Sequence, residues 1–277
     1  MIRALLRKMV DKLGKVSIAA QLRSAVNRKQ VLLACFPKSG STFISTKISE
    51  FPCWTRAGLV PSYGRRDQHL CGYSVFRSLM CGYNIISQHH CRADQNSIRL
   101  LNKYNFKVIV LSRSLMDVAV SMSDHWDNET VDGPRAYLDR SLLQDIDQSG
   151  LSRLQFIVKH MLPWYISFYV SWQKHWAEID KGVIFLTYES FFGDKEASLL
   201  KIMNFIDEKH HFSHIGKILK NKSRDRLNKG IVGRGVEAFQ QDSEAYNDLL
   251  RLLSFYPSVD FSPIFTRIDL DAFPASY

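Results

Sequence analysis

The sequence predicts an α/β fold, a single domain with a central parallel β-sheet flanked by helices. Three observations carry that prediction. Four expected strands, near residues 31–36, 84–89, 107–112 and 183–187, are each followed by helix. That alternation implies a parallel sheet with helices on both faces. The first strand enters its helix through a short turn holding one Lys, one Gly and three hydroxyls, Pro37-Lys38-Ser39-Gly40-Ser41-Thr42. The length, 277 residues, is enough for one such domain. The predicted boundaries are residues 1–30 for a basic N-terminal helical segment and 31–277 for the domain.

Residues 1–30 carry Arg3, Arg7, Lys8, Lys12, Lys15, Arg23, Arg28 and Lys29 against Asp11 alone, most of the chain's net charge of +10. Leu5, Met9, Leu13 and Val16 recur at helical spacing. Such a segment can lie on an anionic membrane or pack against the domain with its charges in water. The second reading is favoured, because a charge run is most often a solvated face. The stretch Val31 to Ser45, VLLACFPKSGSTFIS, reads as strand, tight turn and helix start. Backbone N–H groups and the helix dipole favour an anion there, and Lys38 adds a full charge. The local prediction is a P-loop-like cradle for phosphate or sulfate, the plain alternative being an ordinary corner with a solvated Lys. It is not a Walker A loop, since Lys38 precedes the turn's only glycine, Gly40.

Residues 51–82 show no clear period. Tyr83-Asn84-Ile85-Ile86-Ser87 reads as a strand with His89 and His90 at its end. Phe106 to Trp126, FKVIVLSRSLMDVAVSMSDHW, reads as a buried strand, then Arg113 at the strand end, then a helix with Val118, Met122 and Trp126 on one face. Ser121 lies eight residues after Arg113, about two turns into that helix, so cation and hydroxyl can reach one phosphate. The polar stretch 127–150 is expected to be an insertion or lid. A long helix is expected through 151–178, kinked at Pro163. The tail from Phe255 is expected to wrap the surface.

At these residues the chain resembles the sulfotransferases that use 3′-phosphoadenosine-5′-phosphosulfate (PAPS). FPKSGSTF is similar to their 5′-phosphosulfate loop, and VLSRSLMDVAVS to their 3′-phosphate motif. VIFLTYESFFGDKEASLLKIMNFI resembles the strand-Tyr-Glu-helix segment that follows. RLNKGIVGRG stands where the family has a late Arg-Lys-Gly-x-x-Gly loop. The resemblance runs in family order over Val31 to Phe239.

It implies that Lys38 contacts the 5′-phosphosulfate and bridging oxygen, with Ser39, Gly40, Ser41 and Thr42 donating to the same group. Phe43, where the family often has Trp, would stack near the adenine. Arg113 and Ser121 would hold the 3′-phosphate, Tyr188 would approach the adenine, and Lys229 and Gly230 would close over the 3′-phosphate. Asn228 replaces the family Arg, with Arg226 or Arg234 near enough to supply a charge, and Gly235 replaces the family Trp.

A base must take the acceptor hydroxyl's proton, and His suits that at neutral pH. In open α/β sheets ligands sit outside the carboxyl ends of strands. Family enzymes carry their base at the end of the corresponding strand, slightly more than twenty residues before the Arg. His90 matches that spacing better, with His89 the runner-up. Adjacent residues on a strand end point opposite ways, so only one should face the acceptor; a paired surface His is the plain alternative. The implied reaction is in-line sulfuryl transfer from PAPS to a hydroxyl-bearing acceptor (carbohydrate, lipid or other small molecule). It needs no metal.

Other readings are weaker. His210, His211 and His214 lack zinc spacing, His125 beside Trp126 reads as packing, and no carboxylate pair or Cys/His cluster points to a metal. The five cysteines all precede residue 92 without a C-x-x-C, the pattern of free thiols in a reducing compartment. With no secretory or membrane segment visible, a cytoplasmic location, peripheral to a membrane at most, is expected. The basic charge lacks interleaved aromatics and does not point to nucleic acid. A P-loop phosphotransferase would need the Walker spacing. A noncatalytic nucleotide-binding module on the same scaffold would be expected to have lost Lys38 or the strand-end His.

Overall fold

The computed structural model describes residues 28–61, 67–128, 150–221 and 232–268. The N-terminal segment, the stretch 129–149 and the late-loop residues Asn228, Lys229 and Gly230 lie outside the described residues.

The strands are β1 (Gln30–Cys35), β2 (Trp54–Arg56), β3 (Asn84–His89), β4 (Lys107–Ser112) and β5 (Val183–Thr187). They form one sheet in the order β2-β3-β1-β4-β5, and every neighbouring pair is parallel. The four expected strands are present within a residue of their sequence bounds. The fifth, β2, falls in the stretch that showed no period; three residues at a sheet edge are too few to display one.

The helices are α1 (Ser41–Ser49), α2 (Gly72–Leu79), α3 (Gln95–Lys103), α4 (Leu115–Asn128), α5 (Arg153–His160), α6 (Leu162–His175), α7 (Tyr188–Gly193), α8 (Lys195–Phe205), α9 (Ile215–Lys220), α10 (Arg234–Gln240) and α11 (Ser243–Ser254). The expected single helix through 151–178 is two helices, α5 and α6, that break at Met161. Pro163 sits in the first turn of α6, where its missing N–H is no loss. It opens a helix instead of kinking one.

Strand alternation sends residues to two cores. Leu32, Ala34, Val108 and Val110 pack into one with Met116, Val118 and Ala119 of α4, Tyr165 and Trp172 of α6, and Leu249 of α11. Val31, Leu33, Ile109 and Leu111 pack into the other with Ile44 and Ile48 of α1 and Leu199, Ile202 and Met203 of α8. Helices therefore cover both faces, as runs apolar at every position require. Beyond α11 the chain contributes to a core as well as covering the surface. Phe261, Ile264 and Ile268 are buried, and the Leu115 N–H donates to the Ile264 carbonyl at 2.8 Å.

From β1 in the middle of the sheet the chain runs outward to β2 and β3, then crosses back over β1 to β4. That reversal is a topological switch point, where the connections leaving the carboxyl ends of β1 and its neighbours part and leave a crevice. The ends of β3, β1 and β4 there carry His89-His90, the Lys38 turn and Arg113.

Candidate active site

The turn after β1 is built from two left-handed residues, Lys38 at φ 66° and Gly40 at φ 72°. Gly40 is required twice. Its φ favours glycine, and a Cβ there would stand 2.5 Å from Cε2 of Phe192 and 3.1 Å from Cε2 of Tyr188. No side chain caps the N-terminus of α1, so its first N–H groups remain available to an anion. Ser39 is buried and donates its hydroxyl to the Phe36 carbonyl at 2.7 Å. Ser41 is buried and Thr42 exposed. Gln88 of β3 donates to Ser41 Oγ at 2.9 Å, and its Oε1 accepts from Ser45 at 2.9 Å. Gln88 thus ties the start of α1 to the strand that carries the histidines.

Arg113 meets this turn directly. Its Nη1 donates to the Lys38 carbonyl at 3.0 Å, and its guanidinium lies 4.2 Å from the Tyr188 ring centre. Only 9% of Arg113 is exposed, so a phosphate here would meet a weakly hydrated cation. Ser121 is also buried, two turns along α4. Beside them stands an aromatic group. Tyr188 and Phe192 lie 4.3 Å apart, and Phe43 lies 5.5 Å from Phe192 and 6.1 Å from Phe191. Lys195 stands over the Phe43 and Phe192 rings. Burial raises the Tyr188 phenol and the Glu189 carboxyl above their ordinary values. Glu189 Oε1 accepts the Ser114 N–H at 3.0 Å and so fixes the backbone next to Arg113.

Asp117 joins α4 to the end of the late loop. It accepts the Gly233 N–H at 2.9 Å and the Gly235 N–H at 2.7 Å, and its Oδ2 lies 3.9 Å from Arg113 Nη2. A Cβ on Gly235 would stand 2.4 Å from the backbone carbon of Met116. The docking leaves room for glycine alone, which explains why no Trp stands there. Arg234, one of two cations considered as a stand-in for the family Arg, is bidentate to Asp124 at 2.6 and 3.2 Å. Its charge is balanced there.

The two histidines differ sharply. His89 is 1% exposed. Its Nε2 accepts the Leu59 N–H at 2.9 Å, and its Nδ1 lies 3.2 Å from Gln68 Oε1. A backbone N–H can only donate, so the neutral ring carries its proton on Nδ1 and gives it to Gln68. Burial, then the neighbouring His90, pull its pKa down to about 3. His90 is half-buried. Its Nδ1 lies 2.8 Å from the Cys35 carbonyl, which can only accept, so Nδ1 bears the proton and Nε2 keeps its lone pair. No partner for Nε2 stands among the described residues. Burial lowers the His90 pKa, opposed by the Cys35 carbonyl. The Cys35 thiol, 3.5 Å from Nδ1, is pushed up by burial to about 12 and stays neutral.

The Lys38 turn, a buried Arg and a neutral imidazole now stand at three adjacent strand ends. The model of the sulfotransferase domain family matches residues 28–230. The chain belongs to that family. A search among curated proteins finds no match to the sequence. Among solved structures the domain is similar to the mouse sulfotransferase SULT7A1 complexed with PAP, at TM-score 0.60 and 19% identity, over 84% of this chain and 86% of that one. A sulfotransferase from Alicyclobacillus acidocaldarius is 13% identical over 85% of this chain and 98% of that chain, at TM-score 0.43.

Sequence reasoning about this sulfotransferase domain missed Gln68, Gln88, Phe192 and the docking of Gly233 and Gly235 on Asp117. Among the described residues no helix is long and apolar enough to cross a membrane, and no group of three or more His, Cys, Asp or Glu side chains could hold a metal ion.

Proposed function

We propose that this sulfotransferase takes its sulfuryl group from PAPS and delivers it to an acceptor hydroxyl, with His90 as general base. The observation that carries the reading is the meeting of the Lys38 turn, Arg113 and His90 at the ends of β1, β4 and β3. The chain's residues fit the donor. A half-buried Lys38 and the uncapped N–H groups of residues 39–42 suit a phosphosulfate. The buried Arg113 and Ser121 suit a second phosphate, and Phe43, Tyr188 and Phe192 supply flat apolar surface for a purine. Asn228, Lys229 and Gly230, outside the described residues, are proposed to complete the 3′-phosphate side.

The donor supplies an activated sulfuryl group whose leaving oxygen gains charge as the bond breaks. Lys38 and the amides of the turn stabilise that charge, and they are held in place before the reaction begins. His90 Nε2 takes the acceptor proton. Burial keeps the imidazole neutral at physiological pH, and its bond to the Cys35 carbonyl fixes the tautomer with the lone pair on Nε2. His89 suits that role less well, because its Nε2 already accepts from Leu59 and the ring is buried.

A titration of PAP by calorimetry, followed by a screen of labelled PAPS against sugars, lipids and phenols, tests the reading. PAP binding together with transfer to one of these hydroxyls is expected. Failure to bind PAP would overturn the donor; PAP binding without transfer to any hydroxyl would favour the noncatalytic nucleotide-binding module.

A further inference from the structure

Gln68 lies more than twenty residues before the histidines, yet three of its hydrogen bonds end on them. Its Oε1 accepts the His90 N–H at 2.8 Å and faces His89 Nδ1 at 3.2 Å, while its own N–H donates to the His90 carbonyl at 3.2 Å. The side chain is 4% exposed. Its segment is stitched down on both sides. Asp67 pairs with Arg92 and accepts from Trp164 Nε1 at 3.3 Å, and Asn96 donates to the Leu70 carbonyl at 3.2 Å. Leu59, whose N–H fixes His89, accepts the Cys71 N–H at 2.9 Å.

We propose that Gln68 is the positioning residue of the base: it clamps the His90 backbone through both N–H and C=O, and so sets the ring on the Cys35 carbonyl. The inference rests on the reading of His90 as base. An amide oxygen is suited to the task because it accepts from both histidines at once. A neutral group there leaves the imidazole uncharged, whereas a carboxylate would draw a proton to it. The titratable groups that meet His90 are Cys35 on β1 and His89 on β3, with the Asp67–Arg92 pair next to Gln68 in the chain and to Cys91.

The test is nitrogen-15 histidine NMR of the PAP-bound full chain, with His90→Ala for assignment. Wild type should show His90 as a single Nδ1–H tautomer. Gln68→Leu should give a tautomer mixture, with PAP affinity unchanged. Gln68→Glu keeps both accepting contacts and should keep the tautomer, while raising the His90 pKa by roughly half a unit to one unit. Turnover of Gln68→Leu should fall on the order of 10- to 100-fold, as misplacement of a reacting group predicts, and adding Gln68→Leu to His90→Ala should lower turnover no further than His90→Ala alone. A single unchanged tautomer in Gln68→Leu would overturn the proposal. Should that variant not fold, an unmoved His90 titration in Gln68→Glu would overturn it equally. Full activity of His90→Ala would instead remove the base reading, and the NMR result would stand apart from it.

Discussion

The proposed donor side and the proposed base corner of this site lie on neighbouring strand ends and are held by different physics. On the donor side the groups are permanently charged or aromatic, and the backbone does the placing. Lys38 and Gly40 both sit at positive φ, and the Lys38 carbonyl is gripped by Arg113. At the base corner neither histidine has a positive φ. There the groups are neutral, and hydrogen bonds of the imidazole rings with the Gln68 side chain, the Leu59 N–H and the Cys35 carbonyl fix which nitrogen holds a proton. Binding a polyanion calls for charge in place, whereas proton transfer calls for a lone pair in place.

The largest test of that contrast removes each side's central group. His90→Ala should lower turnover on the order of 10²–10⁴-fold and leave PAP affinity within about twofold, since the base meets only the acceptor. Arg113→Ala should do the reverse to binding. Loss of a charge-assisted contact costs about 1.5–3 kcal/mol, a roughly 10- to 150-fold weaker PAP complex. Calorimetry beside steady-state rates reads both. Weakened PAP binding in His90→Ala would merge the two regions into one.

A smaller effect separates the two histidines through pH. Folded His89 has a pKa of about 3 against an ordinary 6.5. Its folded pKa is depressed, so the unfolded chain binds the extra proton first. Stability is therefore full above about 6.5 and falls by about 1.4 kcal/mol per pH unit below it, down to about 3. His89→Gln keeps an acceptor for Leu59 and removes the titration. At about pH 5 wild type should lose roughly 2 kcal/mol more than this variant in urea unfolding, relative to neutral pH. Equal losses would show that the acid-labile group lies elsewhere.

Most of the fold was legible in the sequence because β1, β4 and β5 are largely apolar runs and each of the four long strands leads on to a helix. The short edge strand β2 and the break at Met161 were not, since three residues have no period and a proline can open a helix as readily as bend one. Of the candidate site, the donor side was the readable part: its residues fall in short motifs that each follow a strand, and Lys38, Arg113 and Tyr188 do converge. The base corner was only half readable. Spacing placed His89 and His90 at a strand end, but what tells them apart, Gln68 and Leu59, comes from a loop without pattern. Gly235 could not be understood from sequence either, because its reason is the backbone of Met116 packed against it.

The smallest prediction asks whether the donor side really stores strain in its backbone. Lys38 is a side-chain-bearing residue at φ 66°, a region that costs such a residue roughly 1–2 kcal/mol and glycine almost nothing. In return, its carbonyl meets Arg113 Nη1. Lys38→Ala and Lys38→Gly remove the same charge, so both should weaken PAP binding and turnover. They should differ in stability. Alanine keeps the strain, whereas glycine relieves it and gives back about 0.5–1 kcal/mol through the greater freedom of its unfolded chain. Lys38→Gly should therefore be the more stable by about 0.5–1 kcal/mol in urea unfolding. It should also hold PAP somewhat better, because the turn keeps its grip on Arg113 without strain. Equal stability would mean that the turn relaxes freely once the Lys is gone. The donor side would then be placed by its side chains and not by its backbone.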